Sequence, residues 1–362
     1  MPSSLQEMVL VTGAGGYIGV HVVRALLKQG FRVRGTARNP SNEAKSKHIL
    51  NCYPEAKHPV EIVQADLLSD DGWPEALKDC SYVVHVASPF PNAEPDHPDD
   101  VLKPAVEGTK RVLKFAAEAG TVKRVVVTST MAAVHGEVDD TGDQVFDEGD
   151  WTNTEWKGLE AYAKSKTLAE KAAWDFVTTL PPEGKHLELV TINPSLVLGP
   201  ILHGTYGTSV EVIKRLLDKT TPLIPYVNFA VCDVRDVAKA HVKALLVPEA
   251  AGKRHIINSG NLWLKDAASM LREEFSAQGY YIPFLSSLNI GIWFVGFIDR
   301  SARMLYPRLG KVYKFSNKRM QQVLGIRPRS IRDTVSDTAH SLIQAGIITK
   351  APKYQAKTVS ME

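Results

Sequence analysis

The stretch Val9-Leu10-Val11-Thr12-Gly13-Ala14-Gly15-Gly16-Tyr17-Ile18-Gly19 constrains the fold more than any other part of the chain. Val9 to Val11 form the short, continuous apolar run of a β-strand covered on both faces, and Val20 to Leu27 resume beyond it with helix-forming apolar residues. Between them stand glycines at 13, 16 and 19. Gly13 can take the φ of a sharp turn, Gly16 lets a pyrophosphate approach the backbone, and Gly19 lets the helix lie close to the sheet. The helix N-terminus then turns its unpaired N–H groups toward an anion, so the stretch reads as a dinucleotide cradle.

The spacing is Gly-x-x-Gly-x-x-Gly, since Ile18 stands where the Gly-x-Gly-x-x-Gly pattern begun at Gly13 needs Gly or Ala. After Gly30 comes a second strand, Phe31-Arg32-Val33-Arg34-Gly35, which completes the first βαβ unit of a doubly wound sheet. At the end of that strand an NAD site usually offers an acid to the ribose 2′-hydroxyl. No acid occurs from Phe31 to Asn42; Thr36-Ala37-Arg38-Asn39 stand there, with Lys45 further on. A guanidinium binds a 2′-phosphate that a carboxylate would repel, so Arg38 and Lys45 predict NADP(H).

The chain has 362 residues, more than the roughly 250 of a single hydrophobic core, which predicts a second, smaller lobe. Its formal net charge of +3 is slight and spread out, with no lysine-arginine block, which argues against nucleic acid as partner. Cys52, Cys80 and Cys232 are odd in number and lack metal-ligand spacing, so a reducing compartment and no metal are expected. Met1 to Met8 is polar and runs straight into the first strand, leaving no room for a signal peptide; a cytoplasmic location is expected. The apolar segment Ile282 to Ile298 contains Pro283, Ser286, Ser287 and Asn289 and is short for a bilayer. It is expected as a buried helix or a wall of the second lobe, with no membrane partner.

Strand–helix alternation continues. Val60–Leu67 and Ser81–Ser88 read as strands three and four, with helices over Trp73–Asp79 and Asp100–Ala119. Ligands lie at the carboxyl ends of such strands, so Asp66, Leu67, Val86, Ala87 and Ser88 are expected to edge the adenosine half of the site. His85, alone in an apolar strand, reads as a satisfied core residue. The fifth strand, Arg124–Thr130, ends in hydroxyls, and a long loop leads to Tyr162-Ala163-Lys164-Ser165-Lys166. Tyr and Lys four apart share a helix face, so the ammonium can favour the ionised phenol, and the tyrosine can pass a proton to a carbonyl oxygen. A second copy of the spacing, Tyr53 to Lys57, is interrupted by Pro54.

With His85-Val86-Ala87-Ser88-Pro89, Tyr162 to Glu170, Ile192 to Pro200 and Asp233 to His241 added to the glycine loop, the chain resembles extended short-chain dehydrogenases/reductases of the NAD-dependent epimerase/dehydratase superfamily. Within them it is most similar to the branch of dihydroflavonol reductases, cinnamoyl-CoA reductases and NADPH aldehyde reductases. The resemblance implies an α/β fold, a Rossmann-type doubly wound parallel sheet with a smaller, discontinuous C-terminal substrate lobe. It places the NADP-binding domain at 1–200 with returning segments near 227–241 and 254–258, the lobe at 201–226 and 259–350, and a flexible tail at 351–362.

It also implies a catalytic set of Thr130, Tyr162 and Lys166, with Ser129 as the substitute for Thr130. Hydride would pass from C4 of the nicotinamide to a carbonyl carbon while Tyr162 protonates the oxygen and Thr130 holds it. Lys166 would also bind the nicotinamide ribose, Gly13, Gly16, Tyr17, Ile18 and Gly19 would form the pyrophosphate loop, and the Asn193-Pro194-Ser195 turn and Val197 would meet the carboxamide end. Phe90, Met131, Tyr206 and Phe229 fall where such pockets are built, or are core; they suit an apolar or aromatic aldehyde or ketone. A monomer or homodimer is expected. A sugar-nucleotide epimerase/dehydratase or a 3β-hydroxysteroid-type dehydrogenase would more often carry an acid near Thr36, and a non-catalytic NADP-binding regulatory protein would have lost Tyr162 or Lys166.

Overall fold

In the computed structural model, residues 7–88, 97, 99–136, 142–182, 186–286 and 308–361 are described, without the side chains of residues 43–45. β1 (Met8–Thr12) is buried at every residue because strands flank it on both sides and helices cover both faces. Its side chains alternate accordingly. Val9 and Val11 join one core with Val33, Val84, Val126, Val190 and the helices on that face, while Met8 and Leu10 join the other with Val83, Val125, Leu189 and Trp73. Truncating such a residue, as in Leu10→Ala, costs about 2–5 kcal/mol.

The first helices and strands are α1 (Tyr17–Lys28), β2 (Arg32–Ala37), α2 (Glu43–Leu50), β3 (Glu61–Gln64), α3 (Trp73–Leu77), β4 (Cys80–His85) and α4 (Asp99–Glu118). They continue with β5 (Arg124–Thr128), β6 (Val145–Phe146), α5 (Ala161–Thr178), β7 (Glu188–Pro194), β8 (Leu196–Leu198), α6 (Glu211–Leu217), β9 (Asn228–Asp233), α7 (Val234–Leu246), β10 (Arg254–Ile257), β11 (Gly260–Trp263) and α8 (Leu264–Phe275). Seven strands form one parallel sheet in the order β10-β7-β5-β4-β1-β2-β3. The strand order reverses between β1 and β4, and ligands of such sheets bind at the carboxyl ends beside that point. This is the Rossmann-type sheet expected from the sequence. Buried Arg124 ties β5 to α7: its guanidinium donates to the carbonyls of Ala244, Leu245 and Val247 at the helix C-terminus and pairs with Glu188.

β11, β9 and β8 form a second, three-stranded sheet, and β12 (Lys314–Phe315) pairs with β6. Of segment 227–241, then, only α7 returns to the main sheet, packing beside α1; β9 belongs to the second sheet. The segment expected as a flexible tail makes contacts with the rest of the chain. Tyr354 bonds His340 on the C-terminal helix Ile331–Gln344 (2.7 Å), Lys357 pairs with Asp337 (3.1 Å), Arg235 donates to the Ser360 carbonyl (2.5 Å), and Met361 packs on the core. Its polar residues find partners on distant elements. Most of Ile282–Ile298 lies outside the described residues; among those described, no helix is long and apolar enough to cross a membrane.

Candidate active site

The glycine turn follows β1 at the reversal point. Gly13 has φ +66°, and a Cβ there would lie 2.9 Å from the Ala87 backbone. A Cβ on Gly19 would lie 2.1 Å from the Gly13 carbonyl oxygen, the same oxygen that accepts from Gly16 N (3.0 Å). The turn therefore closes only with hydrogen at both positions. Gly16 is exposed and begins α1 without any side-chain cap, so the first N–H groups of the helix are free to meet an anion. These features fit a dinucleotide pyrophosphate. His48 of α2 bonds the Gly15 carbonyl (3.0 Å) and steadies the loop from the other side, a contact the sequence reading missed.

Thr12 Oγ1 accepts from Ala87 N (3.1 Å) and bonds His85 Nδ1 (2.7 Å), while His85 Nε2 meets Thr109 Oγ1 (3.4 Å). His85 is thus a satisfied core residue, as read from the sequence; burial pushes its pKa down to about 3. The half-buried Val86, Ala87 and Ser88 edge the loop. Asp66 and Leu67 follow β3; the Asp66 carboxylate accepts from Leu68 N (3.0 Å), and Leu67 packs against Gly108 of α4. Arg38 is exposed immediately after β2. The Lys45 side chain and Phe90 lie outside the described residues. Tyr17 turns its hydroxyl away to the Gly199 carbonyl (2.9 Å), and Ile18 packs on the core. Pro194 and Val197 are buried at the ends of β7 and within β8.

β5 pairs only to Thr128, two residues short of the expected end. Ser129 still donates its N–H to Ile192 (2.7 Å), but Thr130, extended at φ −161°, leaves the sheet and caps the turn Met131–Ala133 by accepting from Ala132 N (3.3 Å). The two hydroxyls point apart, as side chains along an extended strand must. Ser129 donates to buried Glu170 (2.5 Å), whereas Thr130 hydrogen-bonds Tyr162. Tyr162 and Lys166 lie on α5, whose buried side carries Ser165, Lys166, Thr167 and Glu170 among alanines. Such a polar inner face is costly unless it works or is paired.

Lys166 Nζ donates to the Thr128 carbonyl (3.3 Å); burial lowers its pKa to about 8, and the charge of Glu170 opposes that fall. The expectation that Lys166 lowers the Tyr162 pKa needs correction. Burial holds the phenol above its ordinary value, and the opposing influence is the Thr130 hydrogen bond. A phenol kept protonated at neutral pH is the form that donates a proton.

Met131 packs with Val134, Phe146, Ala230, Ile256, Tyr313 and Phe315. Phe229 on β9 is in the main core, with half-buried Tyr206 against it. The sequence reading also missed Glu170, and it gave Asn193 a place at the carboxamide end without its bonds to the catalytic strand. Asn193 Nδ2 donates to the Thr130 carbonyl (3.2 Å) and to Glu170 (2.8 Å). The position of Glu170, four residues beyond Lys166, was the available signal.

A glycine turn at the reversal of a parallel sheet, with half-buried Thr130 and Tyr162 and buried Lys166 at the carboxyl ends of its strands, defines a Rossmann-type α/β protein. The sequence profile of the NAD dependent epimerase/dehydratase family matches residues 9–260, and the chain belongs to that family. It is 34% identical to cinnamoyl-CoA reductase 1 of Petunia hybrida over 348 residues, covering 96% of this chain and 95% of the relative. Among solved structures, it resembles the yeast methylglyoxal/isovaleraldehyde reductase Gre2 complexed with NADPH, with TM-score 0.76 and 30% identity over 93% of this chain and 98% of that one. The Gre2 complex with NADPH from Candida albicans has TM-score 0.77 and 28% identity, covering 94% and 99%.

Proposed function

We propose that the protein is an NADPH-dependent oxidoreductase that reduces an aldehyde or ketone to the alcohol, with Tyr162 as proton donor. The observation that carries this reading is the Thr130 hydroxyl hydrogen-bonded to half-buried Tyr162, one helical turn from buried Lys166. The relatives named as reductases, two of them solved with NADPH, support the same class. NADPH, when bound, supplies the hydride. The loop from Gly13 to Gly19 would hold its pyrophosphate, Arg38 and Lys45 its 2′-phosphate, Asp66, Leu67 and Val86 to Ser88 its adenosine half, and Lys166, Pro194 and Val197 its nicotinamide half.

Thr130 orients the acceptor oxygen by donating to it, and Tyr162 hands it the phenolic proton as charge builds there. Lys166, as an ammonium, would donate to the nicotinamide ribose and fix the cofactor against the acceptor. Half-buried Tyr206 favours an apolar or aromatic acceptor, and the free, buried Cys52, Cys80 and Cys232 suit a reducing, cytoplasmic setting. The test is loss of NADPH absorbance over a panel of alkyl and aryl aldehydes and ketones. Turnover with NADPH well above that with NADH supports the reading; no turnover with any carbonyl overturns it.

A further inference from the structure

Behind the catalytic hydroxyls lies a carboxylate that the mechanism above does not use. Glu170 is 1% exposed. Its Oε1 accepts from Arg254 Nε (2.7 Å), Thr191 Oγ1 (2.9 Å) and Trp174 Nε1 (3.4 Å). Its Oε2 accepts from Ser129 Oγ (2.5 Å), Asn193 Nδ2 (2.8 Å) and Arg254 Nη2 (3.4 Å). Six donors converge, a set that an ionised carboxylate satisfies and an amide cannot. Arg254 is itself fixed: Nη1 donates to the carbonyls of Glu148 and Asp150, Nη2 to that of Ala133, and the guanidinium stacks 3.7 Å from the Trp151 ring centroid. Lys166 and Arg254 are the charges facing Glu170; the Glu148 side chain turns instead to Ile256 N and Arg319.

Two of the six donors lead to the site. Ser129 is the residue before Thr130, and Asn193 uses its other amide hydrogen on the Thr130 carbonyl. One carboxylate thus fixes the chain on both sides of the Thr130 side chain. Its helix also carries Lys166 one turn earlier. We infer that Glu170 is a positioning residue: clamped by Arg254, it aims the Thr130 hydroxyl at Tyr162 through Ser129 and Asn193. This rests on the proposal that Thr130, Tyr162 and Lys166 carry out carbonyl reduction. A purely architectural ion pair would stabilise the chain without touching either the titration of Lys166 or the turnover step.

The test compares wild type with Glu170→Gln and Glu170→Asp in the full chain. In cofactor-free protein with carbon-13-labelled lysine, the NMR signal lost in Lys166→Met should titrate near 8 in wild type and at lower pH in Glu170→Gln. The alkaline limb of the kcat profile should move the same way, with kcat reduced about tenfold or more and KM little changed. Glu170→Asp keeps the charge, so it should restore the titration while kcat stays low. An unmoved titration with kcat near wild type overturns the inference alone; wild type with no NADPH-dependent turnover overturns the functional proposal and this inference with it. If Glu170→Gln does not fold, Asn193→Ala breaks the link to Thr130 and leaves the carboxylate in place. It should then lower kcat without moving the Lys166 titration, and full kcat would overturn the inference.

Discussion

Gly19→Ala puts one methyl group into the tightest point of the cradle. Its Cβ would lie 2.1 Å from the Gly13 oxygen, and real Cβ contacts do not fall below 3.0 Å, so helix and turn must separate by about 0.9 Å. The Gly13 oxygen cannot simply retreat, because it holds Gly16 N at 3.0 Å. Overpacking of this kind costs about 1–3 kcal/mol. Spread over a chain of 362 residues, that lowers Tm by only about 1–4 °C. The effect on the ligand is larger: losing one charge-assisted N–H contact to the pyrophosphate, worth about 1.5–3 kcal/mol, weakens NADPH binding about tenfold to 150-fold. Gly16→Ala is the milder comparison, since its Cβ would meet the Gly13 oxygen at 3.3 Å, a tight contact that a shift of a few tenths of an ångström relieves, and otherwise faces solvent. It should lower Tm less than Gly19→Ala does and weaken NADPH binding by obstructing the approach of the pyrophosphate. Fluorescence titration with NADPH and a thermal melt without it read both quantities. A Gly19→Ala protein with wild-type NADPH affinity would refute the cradle argument.

Arg38→Asp should reverse the preference of NADPH over NADH, because a carboxylate at the end of β2 repels a 2′-phosphate and can accept from a 2′-hydroxyl; paired dissociation constants decide it. Thr130→Val should lower kcat by the equivalent of about 2.7–4 kcal/mol, the usual loss of a donor to a developing oxyanion. Ser129→Ala should act chiefly on stability and only indirectly on rate, and a crippled Ser129→Ala beside a normal Thr130→Val would reverse the assignment. Acid should destabilise the chain: burial depresses His21, His241 and His255 to about 4 and His85 to about 3. Their contribution is therefore full above the unfolded value of about 6.5 and is lost as pH falls toward about 4. Asp236, raised to about 6 by burial, works in the opposite direction but is one group against four. Tm should fall between pH 7 and pH 5, and a flat or rising Tm would contradict the buried, neutral state of these rings.

The glycine turn and the strand over Val9 to Val11, covered on both faces, were legible in the sequence because both depend on neighbours within a few residues. The Tyr162 and Lys166 pair was legible too, since helical spacing alone puts them on one face. What the sequence left open was long-range. That Ser129 turns to Glu170, forty-one residues away, while Thr130 faces Tyr162 is a long-range fact that the spacing of the two hydroxyls does not report. The sign of the Tyr162 shift depended on burial, which motif spacing does not report. The tail from residue 351 looked flexible because Tyr354 and Lys357 are polar enough to sit in water; their partners, His340 and Asp337, are brought within reach only by the fold.

Turnover of NADPH with an apolar aldehyde by wild type and Tyr162→Phe, measured alongside their NADPH dissociation constants, tests the central claim most directly. The phenylalanine keeps the ring and removes only the proton donor, so turnover should fall about 100- to 10,000-fold while cofactor affinity stays nearly constant. A Tyr162→Phe protein that consumes NADPH at close to the wild-type rate would contradict the account.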